Sequence, residues 1–335
     1  MGKNKIILLA AGIIMLIAVG GISAMSVRYR SEQGGTERMT SVVFGGKAKL
    51  RNVIELPLSE VEKLTLEYGS KNIRVYPAED NAAANGIVIE EYLYSDRAGA
   101  KASVSWSGEK EAVVTGGKGL SFVLFGFWPG EGERIEVYIP QKSLKMLSLQ
   151  TGSGNITSET DCIESGGSLA AGAGSGNIRW KNTEAEKISI QAGSGNLHVE
   201  NLKGRITLHT GSGNITGEKL EGSIDAEAGS GNVRLEEFVG EGKIETSSGN
   251  VTVKAESLTG DLAFRAGSGN VNVTIPDDAS FHFQAETGSG NIWTDFDQKL
   301  SYNKKGNLAQ GDVGERPGFH VKAKTNSGNV SVKYR

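Results

Sequence analysis

Cysteine is almost missing from this sequence: Cys162 is the single one in 335 residues, so no internal disulfide can form. Exported domains commonly lean on disulfides, and a chain without them must be held by packing and backbone pairing. Proline is scarce too, with 6 residues against 47 glycines. Glycine this abundant, without proline and without a Gly-X-Y period, excludes collagen and points to many tight turns. A surplus of either charge is also absent: 36 basic and 39 acidic residues leave a net charge of −3. That balance gives no electrostatic case for nucleic acid, whose phosphates call for a strong basic excess.

Long hydrophobic runs are absent except at the start. Residues 6–23 form an uncharged run of 18 that begins Ile-Ile-Leu-Leu and follows Lys3 and Lys5. As a helix it rises about 27 Å, close to the hydrocarbon thickness of a bilayer. A cleaved signal peptide is the alternative, with small residues near Ala18 and Gly20, but the run exceeds the usual signal core. No cysteine follows it, which excludes a lipoprotein. The sequence therefore predicts one N-terminal transmembrane helix within residues 1–25, uncleaved, with the C-terminal bulk extracytoplasmic and the chain seated in the cell membrane by a single pass. Residues 26–46, polar and glycine-containing, read as a spacer.

What the chain does have is a repeat. From residue 151 onward the motif [Ala/Thr]-Gly-Ser-Gly-Asn-[Ile/Val/Leu] recurs, with small variations. Its asparagines are Asn155, Asn177, Asn196, Asn214, Asn232, Asn250, Asn270, Asn291 and Asn329. The successive intervals are 22, 19, 18, 18, 18, 20, 21 and 38 residues. The last is twice 19, which suggests one coil without its motif in residues 299–318. Four positions before each Asn stands Ala or Thr, and immediately after it stands an aliphatic residue, from Ile156 to Val330. Apolar and polar residues alternate on both sides of the turn, so each repeat reads as strand, turn, strand. A second bend falls near Gly204, Gly222 and Gly240.

A period this short cannot hold a four-stranded propeller blade but suits one coil of a β-solenoid. The expected fold is all-β, a parallel β-helix of residues 141–335 with right-handed crossovers favoured. An antiparallel meander is the alternative. Coils stacked at about 4.8 Å give an array on the order of 45 Å long. Glycine beside each Asn is expected to supply positive φ, and the stacked asparagines an internal amide ladder. Before the array, residues 47–140 read as a β-rich N-terminal cap, out of register except for a relic at Tyr68, Gly69, Ser70, Lys71, Asn72 and Ile73. A cap shields the open sheet edge of a solenoid. Within it, residues 120–128 are conspicuously apolar; Phe122, Phe125, Phe127 and Trp128 form either a buried strand or an exposed contact loop.

Chemistry is sparse. Calcium-binding solenoid turns use Asp, whereas these turns carry Ser and neutral Asn. Phosphate cradles need a helix start. His198, His209, His282 and His320 lie in different columns of the repeat and form no metal set. Glu227, Glu245 and Glu286 share an outward column with Gln150, Gln191, His209, Arg265 and Lys324, an ordinary solvated face. No cofactor, no metal and no catalytic residue is expected, and the chain reads as a non-enzyme.

The Ser-Gly-Asn-[Ile/Val] strands, the strand Ile135-Glu-Val-Tyr-Ile-Pro140 and the N-terminal run resemble the "putative adhesin" family of bacterial β-strand-repeat envelope proteins. More narrowly they resemble its LiaG-type membrane-anchored members, associated with Gram-positive envelope stress. The resemblance covers roughly residues 50–335. It implies a β-helix-like fold, an extracytoplasmic place in a Gram-positive-type envelope and no known catalysis, and it transfers no binding residues. The expected function is adhesin-like: binding or organising envelope components such as cell-wall glycans, or another membrane protein. The alternative is a structural or regulatory accessory of envelope-stress signalling that acts through a membrane partner. A third reading, an envelope polysaccharide hydrolase or lyase, needs carboxylates clustered across neighbouring coils.

Overall fold

The computed structural model describes residues 25–33, 36–44, 48–78, 86–117 and 132–335. The expected transmembrane run and the aromatic stretch of Phe122, Phe125, Phe127 and Trp128 lie outside them. Where a spacer is expected, Met25–Gln33 pairs antiparallel with Thr36–Phe44 in a two-stranded ribbon separate from the main sheet. All other strands join one sheet of 22 strands, wound into a solenoid. Among the described residues there is no α-helix, only two short 3-10 turns.

In the middle of the chain each coil is one long strand broken by bends. Leu197–Thr210 pairs parallel with Ile215–Ala228, and that with Val233–Thr246, residue for residue, with the Gly-Ser-Gly-Asn turns stacked between them. Pairing along the array is parallel; antiparallel pairs occur only towards its ends. The strand alternation decides what is inside. Ile178, Leu197, Ile215, Val233, Val251 and Val271 form a buried aliphatic column, each side chain contributing roughly 1.5–3 kcal/mol. Trp180, Phe238 and Phe264 fill the wider interior and are fully buried.

The bends have different causes. At the mid-coil bend Gly204, Gly222 and Gly242 take φ of +139°, +121° and +130°, which favours glycine. Three residues earlier in the first two of these coils, and five earlier in the third, the chain turns through Asn201, Lys219 and Glu237 at φ of 54°, 54° and 51°. Asn182, at φ 57°, is the same corner one coil back, and Asn201 Nδ2 donates to its Oδ1 at 2.9 Å. Asn tolerates the left-handed region better than Lys does. Lys219→Asn should therefore raise stability by about 0.5–1 kcal/mol, read as a higher midpoint of thermal unfolding.

The glycine before each Asn does not serve the purpose expected of it. Of these glycines only Gly290 has positive φ. What the others supply is the absence of a Cβ. On Gly176, Gly195, Gly213 and Gly231 a Cβ would lie 1.7–1.9 Å from the carbonyl oxygen of the same glycine one coil back. The Thr of the turn has a specific task as well. Thr210 and Thr246 are buried; their hydroxyls donate to Gly195 O at 2.8 Å and Gly231 O at 2.6 Å, and accept from Gly213 N and Gly249 N, both at 3.1 Å. Thr246→Val keeps the shape and strands both buried backbone groups. It should cost about 1–3 kcal/mol, measured as a drop in unfolding midpoint relative to the wild type.

The ends depart most from the sequence reading, because chain order and stacking order differ there. The 38-residue interval hides no lost coil. Val251–Ala266 pairs not with Phe281–Ser289 but with His320–Ser327, and Val271–Ile275 pairs with Val330–Tyr334. The final coil thus sits between its two predecessors, with Phe281–Ser289 and Ile292–Thr294 on its far side. The intervening residues run Leu300–Tyr302 and Leu308–Val313 back antiparallel as a cover. The other end mirrors this. Lys63–Tyr68 lies between Glu111–Thr115 and Leu144–Thr151, and Asn72–Pro77 between Arg134–Ile139 and Ile156–Ser158. The supposed relic is a complete rung. Antiparallel Ser103–Gly108, Gly86–Leu93 and Lys49–Pro57 close that end. Antiparallel cover blunts an edge that would otherwise template further strands.

Candidate functional site

Among the described residues the chemistry lies in columns of outward side chains fixed by the register. The first is the asparagine column. Each backbone N–H donates to the Oδ1 of the preceding rung: Asn155 to Asn72, Asn177 to Asn155, Asn196 to Asn177, Asn214 to Asn196, Asn232 to Asn214 and Asn250 to Asn232, at 2.8–2.9 Å. Asn270 then donates to Asn250, Asn329 to Asn270, and Asn291 to Asn329. Side-chain amides add longer bonds at several rungs, such as Asn232 Nδ2 to Asn214 Oδ1 at 3.2 Å. The ladder is not internal, because most of these asparagines are exposed. Water can replace part of each bond, so Asn232→Ala and Asn329→Ala should each cost about 1 kcal/mol. Asn291→Ala should cost less, since its Oδ1 accepts from no further coil among the described residues. Unfolding midpoints of the three variants check this ranking.

Two residues after each Asn runs a second outward column. In stacking order it is Arg74, Thr157, Arg179, His198, Thr216, Arg234, Thr252, Asn272, Ser331 and Trp293. From Thr157 to Trp293 it contains no acid, whereas at its other end Arg74 faces Glu136. Trp293, at its far end, is 50% exposed.

A third column lies on the strand before the turn: Glu67, Gln150, Gly172, Gln191, His209, Glu227, Glu245, Arg265, Lys324 and Glu286. Glu227 and Glu245 are neighbours, but Glu286 is separated from them by Arg265 and Lys324. Lys243 lies 2.8 Å from Glu245 and Lys324 2.8 Å from Glu286, and the His209 ring lies 3.7 Å from Glu227. An open groove of about 470 Å³ lies over Gly172, between Gln150, Gln191 and His209, and no carboxylate lines it.

One sequence expectation about titratable groups changes. His282 and His320 do not lie in different columns. The intercalated final coil puts them side by side with ring centroids 4.9 Å apart, and His282 Nδ1 is 2.6 Å from Asp312 Oδ1. Each stands nine residues before its motif Asn, Asn291 or Asn329, so the shared column was already in the repeat, and only their direct contact depends on the exchanged stacking order. Glu91, within the cap, is fully buried and accepts from Asn52 Nδ2 at 2.7 Å and Ala102 N–H at 2.8 Å. Beside it, burial first and the Glu91 charge second push the Tyr68 hydroxyl well above the usual tyrosine range. Cys162 is buried, and desolvation, aided by Asp161, pushes its thiol up to about 12. Such a thiol is inert as a nucleophile at neutral pH.

No curated protein matches the sequence. The structure is similar to a crystal structure described as a "putative cell adhesion protein" from Clostridium sporogenes, 12% identical, covering 85% of this chain and 98% of that one with a TM-score of 0.24. The model of the Toastrack DUF4097 family, a domain of unknown function, matches residues 61–333, a span that runs from the coil at Lys63–Tyr68 to the last strand. With its rungs and both exchanged ends inside that match, this chain belongs to the Toastrack DUF4097 family.

Proposed function

We propose that this chain is a membrane-anchored, extracytoplasmic, non-enzymatic solenoid that binds or organises cell-envelope components. The observation that carries the reading is the pair of outward columns behind the turns. They set an asparagine amide at every coil beside hydroxyl, imidazole and guanidinium groups along a rigid array, and a surface of that kind suits a repetitive partner rather than a single small substrate. The uncharged run of residues 6–23 supports the anchor. The spacing and pairing of the acids support a solvated face: Glu227 and Glu245 stand in adjacent coils of an open sheet, Glu227 beside the His209 ring and Glu245 beside Lys243. Glycoside hydrolysis instead uses two carboxyl groups flanking the scissile bond.

The test uses the full-length chain in detergent micelles with purified cell-wall fractions, and release of soluble sugar is assayed in parallel. Saturable binding without release is the expected result. Release of sugar, or no saturable binding, contradicts the proposal. A reporter fused after Arg335 should be active only outside the cytoplasm, and activity confined to the cytoplasm would refute the orientation.

A further inference from the structure

We infer that the outward column from Thr157 to Trp293, together with the adjoining asparagine ladder, is the binding face for one linear polysaccharide chain laid along the solenoid axis. The inference rests on the envelope-binding reading above and names the face and the ligand class. Four features of the molecule lead to it.

The two columns are adjacent on one outward face. In the ladder, each Oδ1 from Asn72 to Asn329 along the stack accepts the next coil's N–H, as Asn214 does from Asn232 at 2.8 Å. What remains on the outside is mostly Nδ2 hydrogens. Beside them Arg179, His198, Thr216 and Thr252 add further donors. These two columns are therefore rich in donors, complementary to a polymer that presents oxygen acceptors along its length, while Glu200, Glu218 and Glu236 line the next outward column of the same strand. The column on the other strand, with Glu67, Glu227, Glu245 and Glu286, lacks that character.

Spacing is the second feature. In-register parallel coils repeat at about 4.8 Å, close to the length of one sugar unit in an extended chain, so successive sugars can meet equivalent groups. The third is Trp293. It is half exposed on Ile292–Thr294, a strand that among the described residues pairs only with Val330–Tyr334, and among those residues no other Trp, Tyr or Phe stands in its column. An indole face presented this way is a platform for the apolar face of a sugar ring, with its N–H at the rim. The fourth is net charge. A single-stranded nucleic acid also stacks on aromatic rings, but it needs a basic groove. This chain is −3 overall, and Arg234 is tied to Glu236.

The experiment measures binding of soluble peptidoglycan glycan strands to the full-length chain in micelles. The variants are Trp293→Ala, Thr216→Glu and Ser331→Glu, with Gln191→Glu on the other strand as control, and each is used only if its unfolding midpoint matches the wild type. Trp293→Ala and at least one Glu variant should weaken binding by about tenfold or more, as expected for an anchor residue and an introduced anion. Gln191→Glu should stay within about twofold. If the wild type binds saturably and Trp293→Ala and the Glu variants bind equally well, this inference falls while the envelope-binding reading stands. If the wild type binds no glycan strand but binds whole wall fractions, the ligand class is wrong. If it binds neither, both readings fail.

Discussion

Gly231→Ala should disrupt the centre of the array, at a cost of about 3 kcal/mol or more. A Cβ there would lie 1.7 Å from Gly213 O, 2.4 Å from Gly213 C and 2.9 Å from Asn214 N, all of them backbone. No side chain can swing aside, so the coils must part locally. Parting stretches the bonds that define the rung: Asn232 N to Asn214 Oδ1 at 2.8 Å and Ile215 N to Asn232 O at 2.9 Å. Gly69→Ala is the matched control. It sits in the turn of the Asn72 rung, where an added Cβ meets nothing within 4 Å, and its cost should stay within about 0.5 kcal/mol. Thermal unfolding midpoints of the two variants make the comparison. Equal midpoints would mean that the turn glycines serve backbone conformation rather than close stacking.

Deleting residues 320–335 should do more than trim a terminal repeat. In a solenoid stacked in chain order, the loss of the last coil leaves the remaining coils in place. Here the last coil is internal. Val321, Val330 and Val332 are buried between Val251–Ile275 on one side and Phe281–Thr294 on the other. Three valines at roughly 1.5–3 kcal/mol each give a loss of about 5 kcal/mol or more, before the unpaired strand edges are counted. Residues 281–313 should then lose protection in hydrogen exchange, while residues 178–246 keep theirs. Retained protection over 281–313 would show that these strands stack directly on Leu262 and Val271, against the exchanged order.

Much of the central array was legible in the sequence because stacking repeats one environment. Alternation after each Asn marks the buried column from Ile156 to Val330, and the turn spacing gives the coil length. The reason for the turn glycine was not legible, since a close carbonyl contact and a positive φ both select glycine, and only coordinates separate them. Exposure of the ladder was hidden for a related reason: an Asn that bonds the next coil's backbone N–H can stand outside, whereas an amide-to-amide ladder suggests a buried one. Stacking order at the ends could not be read at all. The 38-residue interval has the length of two coils whether a coil lost its motif or the chain ran out and back. That one ambiguity hid the contact between His282 and His320, although both stand nine residues before their motif Asn. At the other end, Lys71 in place of glycine before Asn72 disguised a full rung as a relic. Trp293 follows Asn291 by two residues as Ser331 follows Asn329, so their shared column was legible, and the exchange decides only that they are neighbours.

Continuity of the outward columns across the exchanged ends underlies both the fold and the proposed binding face, and disulfide trapping tests it most directly. Arg265 and Lys324 are register partners on neighbouring parallel strands, and Lys324 in turn faces Glu286. Neighbouring strands lie about 4.8 Å apart, within the span of a disulfide, whereas second neighbours lie at about twice that distance, beyond it. Cys162, buried with its thiol pushed up to about 12, does not compete. Arg265→Cys with Lys324→Cys should oxidise to an internal disulfide, and Arg265→Cys with Glu286→Cys should not. The reverse outcome would place the coils in chain order and contradict the account.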